Sequence, residues 1–132
     1  MKRSVWLELS PYGYGVLLYK GSWKQMAAYC RTKGIQVGRD PHYRGCHMSV
    51  GTEEGARMSI IWLPEWTSSL TDHGVLVHEC LHTCMHCLEY CSVPVDQASH
   101  EALAYLVEDL YKQCAYNLGT FNTGTLDKQP KS

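Results

Sequence analysis

The chain has 132 residues, 12 of them Lys or Arg and 13 Asp or Glu, for a formal charge of −1. At 15.0 kDa it is one domain's worth of protein, enough to bury a modest core without staples. Hydrophobic residues make up 45% and charged residues 19%, too apolar a balance for a disordered chain. The near-neutral charge supplies no phosphate-binding field, which argues against nucleic acid as a partner, and no apolar run approaches the roughly 20 residues that span a bilayer, which argues against a membrane. The N-terminal run MKRSVWLELSPYGYG places Glu8 and Pro11 where a signal peptide needs unbroken apolar residues. With seven cysteines, an odd number, the expectation is a cytoplasmic chain with reduced thiols or metal chemistry rather than disulfides.

Strands come first and helices last. Ser4 to Leu9 is a strand, Pro11-Tyr12-Gly13 a turn, and Gly15 to Tyr19 a second apolar run that can close a hairpin. Ser22 can cap a helix that runs to about Lys33, with Met26, Ala27 and Cys30 at helical spacing and Gly34 as its stop. Gly34 to Gly55 reads mostly as loop, with a short strand around His47 to Val50. Arg57 to Leu63 (RMSIIWL) is the clearest strand, ended by Pro64. A helix starts near Thr71 or Asp72 and runs to about Cys91. Val93-Pro94-Val95 breaks it, and Asp96 or Ser99 caps a last helix to about Asn117. Residues 119–132 read as a loose tail of a single domain spanning 1–132. Strands followed by helices predict an α+β fold in which a small, mostly antiparallel sheet packs on two or three helices.

The chemistry sits in the first of the two late helices. His78-Glu79-Cys80-Leu81-His82 is H-E-x-x-H inside the apolar segment GVLVHECLHTCMHCLEY. At 100° per residue His78 and His82 lie one turn apart on the same face, so their imidazoles converge on one ion. Glu79 lies beside them, facing the ion's open side, where it can take a proton from metal-bound water. A tetrahedral catalytic zinc needs a third protein ligand. His86 and Glu89 continue the same face but lie about 11 Å along the axis, out of reach of an ion held by the first pair. His100 and Glu101 open the next helix. Glu101 gives H-E-x-x-H-x18-E, a spacing that resembles the gluzincin pattern, and with the small residues Ala102 and Ala104 beside it to let two helices pack closely it is favoured over His100.

The segment from His78 to Leu110 resembles the core of gluzincin-type zinc metallopeptidases, in particular the small, minimal versions encoded by bacteriophages. The resemblance implies a zincin-like domain with Zn2+ on His78, His82 and Glu101, and Glu79 as general base and acid. It also implies that Arg57 to Leu63 is the sheet edge along which an extended peptide lies. Tyr105, one turn after Glu101, is a candidate oxyanion stabiliser; a core tyrosine is the alternative.

Cys80, Cys84, Cys87 and Cys91 fall within about 60° on the helical wheel, nearly opposite the two histidines. A straight helix spreads them over about 16 Å, which suits a packing stripe and not a cluster site. Two functions follow. The first is a zinc-dependent hydrolase, a metallopeptidase acting on a peptide or protein. The alternative is a non-catalytic, zinc-stabilised phage structural or assembly protein that keeps a zincin fold in the host cytoplasm or the virion, its ion closed by a fourth ligand such as His73 or His100. Glu79 favours chemistry, since a closed structural site has no use for a carboxylate beside an open position.

Overall fold

The computed structural model describes residues 2–52 and 55–123. Strands β1 (Ser4–Leu9) and β2 (Tyr14–Lys20) form an antiparallel hairpin closed by the Leu9–Tyr14 pair. Helix α1 (Trp23–Thr32) follows. Ser22 caps it, its hydroxyl accepting from the Gln25 N–H while the Gln25 side chain accepts from the Ser22 N–H. Gly34, at φ 73°, stops it. Strands β3 (Cys46–Gly51) and β4 (Arg57–Leu63) form a second antiparallel hairpin, and helices α2 (Leu70–Tyr90) and α3 (His100–Thr123) complete the described chain.

The four strands make one open sheet in the order β1-β2-β4-β3. The architecture is α+β, but the sheet is mixed, because β4 pairs parallel with β2 while the two hairpins are antiparallel. The expectation that Arg57 to Leu63 forms the edge is corrected: β4 is interior and β3 is the edge. The reason lies in β4's own residues. Met58, Ile60 and Trp62 pack on one face with Met26 and Cys30 of α1. Ile61 and Leu63 pack on the other with α2 and α3. A strand apolar on both faces belongs in the middle of a sheet.

The helices therefore lie on both faces of the sheet rather than one, α1 against Leu17, Tyr19 and Ile60, and α2 with α3 against Val16, Leu18 and Ile61. Ser69 caps α2 by accepting from the Asp72 N–H. Asp72 in turn accepts from the Thr67 N–H at 2.5 Å and from the Thr67 hydroxyl at 2.7 Å, which fixes the entry to the helix. Ser92, at φ 59°, turns the chain out of α2. Helix α3 continues to Thr123, so residues 119–123 belong to it and not to a tail; Leu118 and Phe121 are buried, and burial holds that last turn. Residues 124–132 lie outside the described residues. No described helix is long and apolar enough to cross a membrane.

Candidate metal centre

Helix α2 presents two unlike faces. Leu76, Cys80, Cys84, Cys87 and Leu88 are fully buried in the core shared with Leu110, Cys114 and Leu118 of α3. The opposite face carries His78 and His82, both exposed, and turns them toward β3. The helical repeat alone separates the faces, since positions four apart share a face and those two apart do not.

His78 Nε2 and His82 Nε2 lie 3.2 Å apart, with their rings at 70°. Two nitrogens each 2.0–2.1 Å from one tetrahedral ion sit about 3.3 Å apart. The pair thus has the separation of two ligands of a single ion; without one, it is a hydrogen bond between the two rings. Glu79 completes a group in which one ligand atom from each residue lies within 4.8 Å of the others, and among the described residues it is the single such group of three. The group opens into a cavity of about 350 Å³ lined by Tyr43, Gly45, Cys46, His47, His78, Glu79 and His82.

Glu79 is only 7% exposed, although the histidines flanking it in sequence are exposed. Burial raises its carboxyl pKa, and the two histidines and a hydrogen bond from the His47 main-chain N–H oppose that rise. The carboxylate is therefore flanked by the strand as well as by the two histidines of its own helix. Gly45, at the entry to β3, makes this close approach possible. A Cβ there would meet Leu63 Cδ2 and Val75 Cγ1, each at 2.9 Å.

The sheet next to the group is polar on the face toward α2. Alternation along β3 turns Met48 and Val50 toward α1, and leaves His47 for the α2 side. His47 Nε2 bonds Ser59 Oγ at 2.8 Å, and Ser59 Oγ bonds Tyr14 Oη at 2.7 Å, a chain across three strands that runs from the part-buried His47 to the buried Tyr14. The His47 ring stacks near those of His82 (centroids 6.3 Å apart, 17°) and His86 (4.7 Å, 29°). Burial, then the neighbouring His86 and His82, pushes the His47 pKa down to about 4, so this imidazole is neutral at neutral pH. The motif gave no sign of His47, Ser59 or Tyr14. The signal was weaker: a histidine in the alternating run CHMSVG, and one serine inside the apolar RMSIIWL.

Two expected members are elsewhere. Glu101 is exposed in the first turn of α3 and is not part of the three-residue group. Helix α3 meets the other face of α2, where His73 Nδ1 bonds Tyr111 Oη at 2.5 Å and Cys80 hydrogen-bonds Cys114. Between Glu101 and Cys114 lie more than three turns, about 20 Å of helix axis. His100 adjoins Glu101 and is likewise exposed and outside the group. Tyr105 is 66% exposed and lines a separate cavity of about 530 Å³ with Ser10, Pro11 and Tyr12, so it does not face the histidine pair. Tyr43, from the loop before β3, is the tyrosine that lines the cavity beside the histidine pair. His73 is engaged by Tyr111 and by Ser68 Oγ, the latter at 3.2 Å.

All seven cysteines are free thiols. The Cys114 bond and burial raise the Cys80 pKa, burial raises that of Cys84, and burial with Cys91 pushes Cys87 up to about 12, so these sulfurs stay protonated.

Comparison of the chain with protein-family models, with curated proteins and with solved structures finds no match in any of the three.

Proposed function

We propose that the protein is a zinc-dependent hydrolase, a metallopeptidase, in which His78 and His82 hold the ion and Glu79 moves the proton. The observation that carries this reading is the 3.2 Å separation of the two Nε2 atoms beside a buried carboxylate. Bound there, zinc would supply a Lewis acid and a water acidified toward pKa 7. Glu79 accepts the water proton at a carboxylate oxygen and returns it to the leaving nitrogen of the cleaved amide. The His47 N–H orients that carboxylate. An extended peptide can lie along β3, whose outer edge has no partner strand among the described residues. On this reading the minimal phage-encoded gluzincins remain the family of reference. Their third ligand, Glu101, would have to come from a different arrangement of α3, or water would take its place.

One observation favours the second reading, a non-catalytic zinc-stabilised assembly protein: the third member of the group is Glu79 itself. A carboxylate used as a ligand is not available as a base. Glu79→Gln separates the two. With zinc stoichiometry and cleavage of a broad peptide library measured on both proteins, the enzyme reading expects retained zinc and a rate about 10²–10⁴-fold lower. Loss of the zinc with the carboxylate identifies Glu79 as a ligand and favours the assembly protein.

A further inference from the structure

We propose that His47 is a positioning residue of the metal centre, the wedge that sets where His82 and Glu79 stand; this rests on the reading of His78, Glu79 and His82 as a metal group. His82 and His86 are one turn apart on α2, about 6 Å of axis. The His47 ring reaches both, nearly parallel to each, with centroids at 6.3 and 4.7 Å. A flat ring stacked on His86 and standing parallel beside His82 limits how far α2 can slide along β3. It also removes the rotamers of His82 that would swing its Nε2 away from His78.

The wedge is itself anchored. Its Nε2 is held by Ser59, which is fully buried and bonded to the buried Tyr14 hydroxyl, so the ring cannot turn without breaking a chain that spans β2, β4 and β3. The same residue's main-chain N–H faces the Glu79 carboxylate and favours its charged form. One strand residue therefore places one ligand through its side chain and the proton carrier through its backbone. His47 does not ligate, since its ring nitrogens lie outside the group whose ligand atoms are within 4.8 Å of one another.

The test measures zinc affinity by competition with a chromophoric chelator, together with the visible d–d spectrum of the cobalt-substituted protein. The set is wild type, His47→Ala, His47→Phe and Ser59→Ala, each first checked for native circular dichroism in chelator. Supports of metal ligands typically change affinity 10–100-fold. His47→Ala should fall in that range with an altered cobalt spectrum. His47→Phe, which keeps a flat ring against His82, should recover most of the loss. Ser59→Ala, which frees the ring without removing it, should lose less than His47→Ala and serves alone if that variant does not fold. Affinity and spectrum unchanged in His47→Ala, or in Ser59→Ala where it stands alone, would overturn the proposal. So would zinc binding by His47→Ala too weak to measure, which would make the residue a ligand. Wild-type protein that binds neither zinc nor cobalt would overturn the metal reading first, and this proposal with it.

Discussion

The two faces of α2 are built from the same 21 residues and obey different rules. Toward α3 the helix presents small and medium apolar side chains at full burial, and its sulfurs are held as neutral thiols. Toward β3 it presents imidazoles and a carboxylate over a strand face that is itself polar. One face contributes free energy of folding through area and close packing, and its residues are replaceable by others of similar volume. The other contributes little to the core, and its residues are replaceable only by groups with the same donor atoms. In this fold, the His78, Glu79 and His82 group lies where the hydrophobic core runs out at the sheet edge.

That contrast is open to direct attack. The largest effect should come from His82→Ala, which removes one of the two proposed ligands. Metal analysis after gel filtration should find most of the zinc gone and affinity lower by more than about 100-fold, with the denaturation midpoint in chelator almost unmoved. Full retention of zinc would end the comparison. Next in size is Leu88→Ala on the packed face. Truncating a fully buried leucine should cost about 2–5 kcal/mol in urea unfolding, and whatever remains folded should bind zinc as wild type does. Overpacking the same face with Cys84→Leu should cost about 1–3 kcal/mol. A variant that is instead more stable would reveal a void beside Cys84.

The last effect is one of pH. The His47 pKa is near 4 in the folded protein and near 6.5 when unfolded. Between those values the unfolded chain binds more protons, so this residue's contribution to stability is complete above about pH 6.5 and falls as pH drops toward 4. In chelator, the urea midpoint of His47→Phe should therefore change less between about pH 7 and pH 4.5 than that of wild type. Parallel curves would mean that the imidazole is more solvated than its place in the sheet implies.

What the chain reveals of itself follows the range of the interaction. The Ser22 cap, the helix start near Thr71 or Asp72 and the strand at Arg57 to Leu63 are local signals, and each element stands within a residue or two of where those signals place it. The histidine pair was legible for the same reason, since four residues on a helix fix a distance. The largely apolar run of β4 marked an interior strand, a signal that the analogy with a substrate-binding edge outweighed. The x18 interval to Glu101 carried no geometry at all, because the point at which α3 meets α2 is decided by how Leu106, Leu110 and Cys114 fill the core. The length of α3 was underestimated because Gly119 and Thr120 look like a helix end until Phe121 is seen to be buried. His47 joins the centre only through strand pairing, and one histidine in a short strand carries no mark of what will stand opposite it.

The four-residue spacing of the histidine pair also bears on thermodynamic linkage. An ion stabilises a fold only by the difference between its affinities for the native and the unfolded chain. Ligands drawn from distant elements are scattered on unfolding, and nearly the whole binding free energy then favours the native state. His78 and His82 need only one turn of helix, and unfolded ensembles keep such turns in passing. Much of the ion's affinity would thus survive unfolding, and saturating zinc should raise the melting temperature far less than its dissociation constant alone would predict. The part of the affinity that does reward folding is the part supplied from outside the helix, by the neighbours that hold the two rings at their native separation.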